Sequence, residues 1–438
     1  MIELINQLYA EHLSVKQETY LKALETGGFR RLIIGSGSHN VRFRDDCFTP
    51  YFANAYFDEF VSLKQYPNSF LLIKPDSKPK LFVQSHDDYW HSTPEPLDSL
   101  IAGIFDIEEY VNQPDIESAA RTAFIGPDTK NLPANIAAES VLNSNTIFTY
   151  VDYHRAWKTE YEKHCLRQAN RTAVKGHRIA EKCFREGCSE YEIHMAYLAS
   201  IQYTDADLPY DNIIALNENA AVLHHMHYSI EKPDQSLSLL IDAGARYRSY
   251  AADISRTYTR DDEHSEFDAL IAGVNSLQRQ LVQKAHAGKS YLSVHLLAHR
   301  LIADLLADLK IIKCSTEEAL DSGLTQAFFP HGVGHLLGIQ VHDKGGHMDD
   351  PQGKINPPPN DHPFLRLTRN IEEGMAFTIE PGVYFIPRLL SQWRDKALLN
   401  ETLVDQLTPY GGVRIEDNVI AGKSSVENLT RDAFEAAA

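Results

Sequence analysis

The stretch HGVGHLLGIQVHD, residues 331–343, carries three histidines, His331, His335 and His342. Imidazoles so spaced can hold a metal, move protons or simply pack. The His-x3-His spacing suits a zinc-binding helix. Gly332 and Gly334 argue against one, since each costs about 1 kcal/mol in a helix relative to Ala, and the glutamate of the zinc-protease helix is missing. Four acids lie in apolar strand patterns. Asp242 ends SLSLLID, and Asp253 opens DISRTY after the hairpin AGARYRSYAA. Glu380 ends AFTIE before Pro381-Gly382, and Glu416 follows Arg414 by two residues in GVRIEDNVI, on the same face of a strand. Singly, each reads as a strand-end acid that reaches solvent or a salt bridge. Together they are harder to accommodate, because isolated ionised carboxylates in apolar surroundings are costly and converging ones raise each other's pKa. Two divalent ions would neutralise them, and metals about 3.5–4 Å apart form a recognised hydrolytic device.

The elements that must position these residues fall into two sections. Residues 1–154 begin with an amphipathic helix, and short β-rich runs (RRLIIGSG, SFLLIKP, KLFVQS, RTAFIGP, TIFTYVD) follow among helical stretches. Turn residues separate them, as in an α/β domain. Residues 155–438 read as a helix pair followed by strands, twice over. The first pair leads to DNIIALN, SLSLLIDAG and ADISRTYT. The second, at about 263–287 and 293–309, leads to strands around QVHD, AFTIEPGVYF and GVRIEDNVI. This is an internally duplicated α+β domain. The proline-rich GKINPPPNDHP is a loop of the kind that walls or covers a pocket.

At 438 residues two domains are expected, and 43% hydrophobic and 23% charged residues suit a globular chain. A net charge of −18 argues against nucleic acid and anionic membrane partners. Five scattered cysteines, with Cys183 and Cys188 read as packing, fit free thiols in a reducing cytoplasm. His295 and His299 are four apart on a helix whose buried stripe is read as Val294, Leu297, Leu301, Leu305 and Leu309. That pair is assigned to the solvated face.

NENAAVLHH, LLIDAGARYRSYAADISRTY, FFPHGVGHLLGIQVHD, PPPNDHPFLRLTR, TIEPGVYF and GVRIED span nearly all of residues 210–420. As a set they resemble prolidases, the Xaa-Pro dipeptidases among the pita-bread metallopeptidases, in the bacterial branch that includes organophosphorus acid anhydrolases. The resemblance implies an α+β pita-bread (creatinase/aminopeptidase-like) catalytic domain with a smaller N-terminal α/β domain. It implies five ligands for two divalent ions per chain, Mn²⁺ by family and by hard-donor preference. Asp242 would bind one ion and His335 the other, Asp253 and Glu416 would bridge, and Glu380 would complete the second site.

By the same resemblance His224 and His342 stand near the scissile bond and donate to the substrate, and His331 helps hold its carboxylate. Arg414 would orient Glu416 or a substrate group. Arg366, with Arg369 as rival, would grip the substrate carboxylate, a bidentate task that suits guanidinium. Tyr210, Tyr291 and Leu365 are read as pocket wall. The substrate would be a dipeptide with proline second, and a tetrahedral phosphorus ester is a plausible alternative substrate of the same centre. The competing readings are aminopeptidase P, which acts on longer peptides, and a noncatalytic peptide-binding module of this fold. Relatives are commonly homodimers in which the partner's small domain overhangs the cleft, with Trp90 as the overhanging aromatic.

Overall fold

The computed structural model describes residues 2–62, 66–85, 89–90, 99–127, 129, 132–260 and 265–437. The chain forms two compact units, one of residues 1–155, 159–161 and 350–354, the other of residues 156–158, 162–349 and 355–438.

The first unit is built on a six-stranded mixed sheet in the order β4-β3-β2-β1-β5-β6. The strands are β1 (Arg31–Gly35), β2 (Phe70–Ile73), β3 (Lys80–Gln84), β4 (Asp106–Tyr110), β5 (Thr122–Ile125) and β6 (Ser140–Leu142). Four of these are the apolar runs read from the sequence, whose burial on both faces removes the alternation of a half-exposed strand. The fifth run is not a strand. TIFTYVD lies in the helix Asn145–His154, which buries Ile147 and Val151 one turn apart. It packs on the long helix Ile2–Gly27, so tertiary burial overrides the β-branched and aromatic composition.

The second unit repeats one motif. The helices Glu160–Arg185 and Glu190–Ile201 pack with the antiparallel sheet β11-β8-β7, formed by β7 (Ile213–Leu216), β8 (Ser238–Asp242) and β11 (Ser255–Thr259). The helices Ser265–Lys284 and Tyr291–Asp308 pack with β12 (Ala376–Ile379), β15 (Asp417–Ala421) and β16 (Val426–Asn428), and with the pair β13 (Gly382–Tyr384) and β14 (Gly412–Arg414). Between β8 and β11 the chain turns through β9 (Arg246–Tyr247) and β10 (Tyr250–Ala251). Arg248 and Ser249 both have positive φ, 48° and 70°, the geometry of a tight turn that matches strand twist.

Three expectations change. Residues 338–342 form bends, so QVHD is not a strand, and GVRIEDNVI is two strands, broken at Ile415–Glu416, in two different sheets. The helix Tyr291–Asp308 also buries the face assigned to solvent. His295 and His299 are 1% and 2% exposed, beside buried Ala298, Ile302 and Leu306, whereas Leu297, Leu301, Leu305 and Leu309 are only partly buried.

The two halves of this unit are stitched by buried polar groups. Asn418 Oδ1 accepts from the Asp253 N–H at 2.9 Å, and the Glu416 N–H donates to the Ser255 carbonyl at 3.0 Å. Asp417 is fully buried and accepts from Arg256 Nη2 (2.8 Å), Arg431 Nε (2.7 Å), Gln278 Nε2 (2.9 Å) and Asn428 Nδ2 (2.8 Å). Burial alone would raise its pKa, but the two guanidiniums outweigh burial and hold it low. Asp417→Ala leaves those charges without their counterion and is expected to cost about 3–5 kcal/mol, read as a lower urea midpoint.

Candidate functional site

Gly334 lets the His331–His342 loop lie against β12. A Cβ there would meet the Thr378 carbonyl oxygen at 2.2 Å and the Tyr291 hydroxyl at 2.3 Å. In this close approach the Thr378 N–H donates to the His335 carbonyl at 2.9 Å and the Glu380 N–H to the Val333 carbonyl at 2.8 Å. The far end of the loop is fastened by a buried ion pair, Lys158 Nζ to Asp343 Oδ2 at 2.8 Å. His335 Nδ1 donates to the Leu336 carbonyl at 3.0 Å, which fixes the tautomer. Its Nε2 then faces Asp253 Oδ2 at 3.4 Å and Glu380 Oε1 at 3.5 Å.

Asp242 and Asp253 arrive from the two ends of the β9–β10 turn. β8 and β11 pair with Asp242 opposite Ser255, so both acids lie at one end of the sheet. Tyr210 donates its hydroxyl to Asp242 Oδ1 at 2.8 Å and also contacts Asp253. Glu416 reaches the same place from the break after β14, with Oε2 accepting from Ser255 Oγ at 2.7 Å. Donor atoms of Asp253, His335 and Glu416 lie within 4.8 Å of one another.

The electrostatics of this knot are unfavourable for the chain alone. Burial, opposed by Arg414 and reinforced by Asp253, pushes Asp242 up to about 6. Burial and the carboxylates Asp253 and Asp242 push Glu380 up to about 7 against His335 and Arg414. Glu416 is driven well above the usual carboxylate range by burial and by Asp253, Glu380 and Asp242. Asp253 goes the other way: burial would raise it, but His335, Tyr210 and His342 together lower it. Asp253 Oδ1 is buried without a hydrogen-bond partner among the described residues. Carboxylate oxygens, one imidazole and an orphaned acceptor are a donor set that fits hard divalent cations.

Arg414 is the buried cation set against these acids. Its Nη2 donates to Asp242 Oδ2 at 2.7 Å, Nη1 to the Tyr384 hydroxyl at 2.9 Å and Nε to Ser255 Oγ at 2.9 Å. It therefore orients Glu416 through Ser255 rather than directly. Tyr384 contacts His331 Nε2 at 2.8 Å, and His331 Nδ1 donates to the Gly332 carbonyl at 2.8 Å. Burial, with Arg414 nearby, lowers His331 to about 3, so it is neutral with both nitrogens engaged.

His342 lies edge-on to His335, with ring centroids 4.4 Å apart, and is exposed at the rim. His224 is also exposed, close enough to His331 and His342 to disfavour protonation of both. Arg366 is exposed near His342. Arg369 is buried instead, stacked 4.8 Å from the Trp157 ring and 3.6 Å from Glu372. Tyr291 and Leu365, expected at a pocket wall, are 0% and 1% exposed. The Tyr291 hydroxyl donates to the Thr378 carbonyl at 2.7 Å and supports the histidine loop from beneath. Tyr210 is occupied with the acids. Trp90 is 77% exposed and tilts against Tyr89 at 4.7 Å, so it is not core.

Sequence reasoning missed Ser255, Tyr384 and Glu190. Glu190 is buried in the first turn of its helix and accepts from the Leu216 and Ser229 N–H groups at 2.9 Å each, with His225 Nε2 also at 2.9 Å. It thereby holds both ends of the segment that carries His224. The sign was there in SEYE, an acid just inside a helix start, but nothing local pointed to its distant partners.

Residues 164–423 match the model of metallopeptidase family M24, and residues 7–153 match that of the Xaa-Pro dipeptidase N-terminal domain. The chain is 40% identical over 433 residues to the Xaa-Pro dipeptidase of Pseudoalteromonas translucida, covering 97% of this chain and 98% of that one. It is 41% identical over 442 residues to the Xaa-Pro dipeptidase of Yersinia pestis, covering 98% and 99%. Among solved structures it resembles Pseudomonas aeruginosa aminopeptidase PepP with a TM-score of 0.75 at 21% identity, over 98% of both chains. Zinc-substituted E. coli aminopeptidase P with product gives 0.71 at 20% identity, over 98% and 99%. At such identities this likeness speaks to the fold, the pita-bread architecture with its N-terminal domain.

Proposed function

The chain belongs to metallopeptidase family M24, and we propose that it is an Xaa-Pro dipeptidase with a dinuclear metal centre. The observation that carries this reading is the meeting of Asp242, Asp253, His335, Glu380 and Glu416 in one buried knot with a large excess of negative charge. Asp242 would hold one ion, His335 and Glu380 the other, and Asp253 and Glu416 both. The hard donor set favours Mn²⁺. Divalent ions held by these residues would supply an activated water and polarisation of the substrate carbonyl.

The chain's own residues supply the rest. Glu380, with Oε1 near His335 and Oε2 3.7 Å from His331, stands where a proton can pass to the departing imino nitrogen. His342 and His224 at the rim donate to the substrate and to the charge that develops on its carbonyl oxygen. Exposed Arg366 takes the carboxylate that ends a dipeptide, a role its position beside His342 favours over that of stacked Arg369. Arg366→Leu is expected to raise KM for Ala-Pro about 10–100-fold with kcat little changed. Arg369→Leu should instead lower the melting temperature.

The test of the whole reading is hydrolysis of Ala-Pro against Ala-Pro-Ala. Cleavage of the dipeptide alone, abolished by chelator and restored by Mn²⁺, is the expected result. Equal or better cleavage of the tripeptide would favour aminopeptidase P, and metal-independent inactivity a binding module. Hydrolysis of a dialkyl phosphorofluoridate, blocked by the same chelator, would measure the expected side activity on phosphorus. A domain boundary near residue 154, a cytoplasmic location consistent with five free cysteines, and a homodimer that uses exposed Trp90 complete the reading. Among the described residues no helix is long and apolar enough to cross a membrane.

A further inference from the structure

The helix Tyr291–Asp308 buries two histidines one turn apart, on the face that the sequence pattern assigns to solvent. His295 and His299 lie ring to ring at 4.8 Å and nearly perpendicular. His362, half-buried on the proline-rich loop, closes the group at 4.5 Å from His295 and 4.6 Å from His299. Potential ligand atoms of the three lie within 4.8 Å of one another.

Their hydrogen bonding is incomplete. Neither ring nitrogen of His295 has a partner among the described residues, nor has His299 Nε2. A buried polar atom without a partner is costly, and buried polar groups are normally satisfied. Three such nitrogens in one place point to a missing ligand. His299 Nδ1 is the exception, 3.0 Å from Thr325 Oγ1. When Nδ1 donates to that hydroxyl, the lone pair of Nε2 is turned toward the group, the outer-shell arrangement typical of a metal-binding imidazole. Burial and the neighbouring imidazoles hold His295 at about 2 and His299 at about 3, so both are neutral near pH 7.

We propose that His295, His299 and His362 form a separate site for one borderline transition-metal ion, Zn²⁺ in particular, which fastens the proline-rich loop to the helix Tyr291–Asp308. The donor chemistry differs from that of the acidic knot. Three imidazoles without a carboxylate suit Zn²⁺ rather than Mn²⁺. Position gives the site its consequence. The Phe329 ring stands 5.0 Å from His299 and 4.8 Å from His331, so the group lies one aromatic ring behind the candidate active site. The Leu365 N–H donates to the His362 carbonyl at 3.1 Å, so holding His362 also holds the segment that carries Arg366.

Full-length protein stripped with chelator, supplied with Zn²⁺ and gel-filtered, should retain one more ion per chain than His362→Gln treated alike. His362 is on a loop and only half-buried, so this variant is expected to fold. A second variant, Asp253→Asn with Glu416→Gln, removes ligands of the acidic knot yet should still keep one Zn²⁺ and be thermally stabilised by it. With Co²⁺ in that background, the visible absorption of a nitrogen-ligated ion should appear and be lost on adding His362→Gln. Equal Zn²⁺ content with and without His362, or no ion retained by the Asp253→Asn, Glu416→Gln protein, would overturn the proposal. Neither outcome bears on dipeptide hydrolysis, which has its own test.

Discussion

Glu416→Gln is expected to lower kcat/KM for Ala-Pro by on the order of 10³-fold and, at the same time, to stabilise the metal-free protein. The first effect follows from losing a carboxylate that would hold both ions. Several kcal/mol of transition-state stabilisation rest on such a centre, and each 1.36 kcal/mol is tenfold in rate. The second follows from the charge on the chain alone. Glu416 lies in the knot of Asp242, Asp253 and Glu380, which drives its pKa upward on top of burial. Gln keeps the shape and the acceptor for Ser255 Oγ while removing the cost of burying an ionisable carboxyl among other acids. The metal-free variant should therefore melt above metal-free wild type, whereas with Mn²⁺ the order reverses. Full activity, or a metal-free variant that melts lower, would count against the converging-carboxylate account.

The same charges set a pH dependence. In the metal-free protein, Asp242 near 6 and Glu380 near 7 sit above the ordinary carboxylate values. The native state then binds more protons than the unfolded chain between those values and about 4, so stability rises as pH falls from 7 toward 5. Asp417, held low by its guanidiniums, has the opposite sign: its stabilisation is present above about 4 and is lost only as pH falls through its lowered native pKa. Metal-free protein is thus expected to gain ~1–3 kcal/mol between pH 7 and pH 5 by urea unfolding, then lose stability below pH 4. Metal-loaded protein should lose stability across the upper range, because protonation competes with the ions.

What could be read from the chain was whatever violated a local rule. An acid closing SLSLLID or AFTIE contradicts its apolar strand, and that contradiction marked Asp242 and Glu380 before any geometry was known. Glycines flanking His335 excluded a zinc helix, and the observed loop needs Gly334 for the close approach of Thr378 and Tyr291. Residues that obey local rules were invisible. Ser255 and Tyr384 are ordinary strand residues whose work lies in hydroxyl contacts to Glu416, Arg414 and His331. His295 and His299 were misassigned because their helix is apolar almost all round. Period 3.6 then selects no face, and Ala298 and Ala303 hid the buried side. The helix over TIFTYVD is a fact of packing against residues far earlier in the chain, which no local pattern encodes.

Arg414→Lys is the conservative change expected to do the most damage. The guanidinium sends three N–H groups in a fixed plane to three partners: Asp242, the Tyr384 hydroxyl and Ser255 Oγ. Ser255 in turn donates to Glu416, and Tyr384 meets His331. One side chain thus sets the orientation of two candidate ligands and of the imidazole behind them. A lysine ammonium keeps the charge, so the knot of acids stays compensated and the protein should fold. As a compact point charge on a flexible stem it does not reproduce the planar fork. Metal affinity is expected to fall about 10–100-fold, as when an outer-shell partner of a ligand is lost. Activity at limiting Mn²⁺ should fall by ~10³, and saturating Mn²⁺ should restore only the share that reflects occupancy. The remaining loss would appear in kcat, with KM for Ala-Pro nearly unchanged, because Arg414 is buried beneath the site and the substrate carboxylate is assigned to Arg366. An Arg414→Lys enzyme with wild-type kcat at saturating Mn²⁺ would reduce Arg414 to a counterion. A large kcat defect that metal cannot repair would identify its geometry as the property the centre requires.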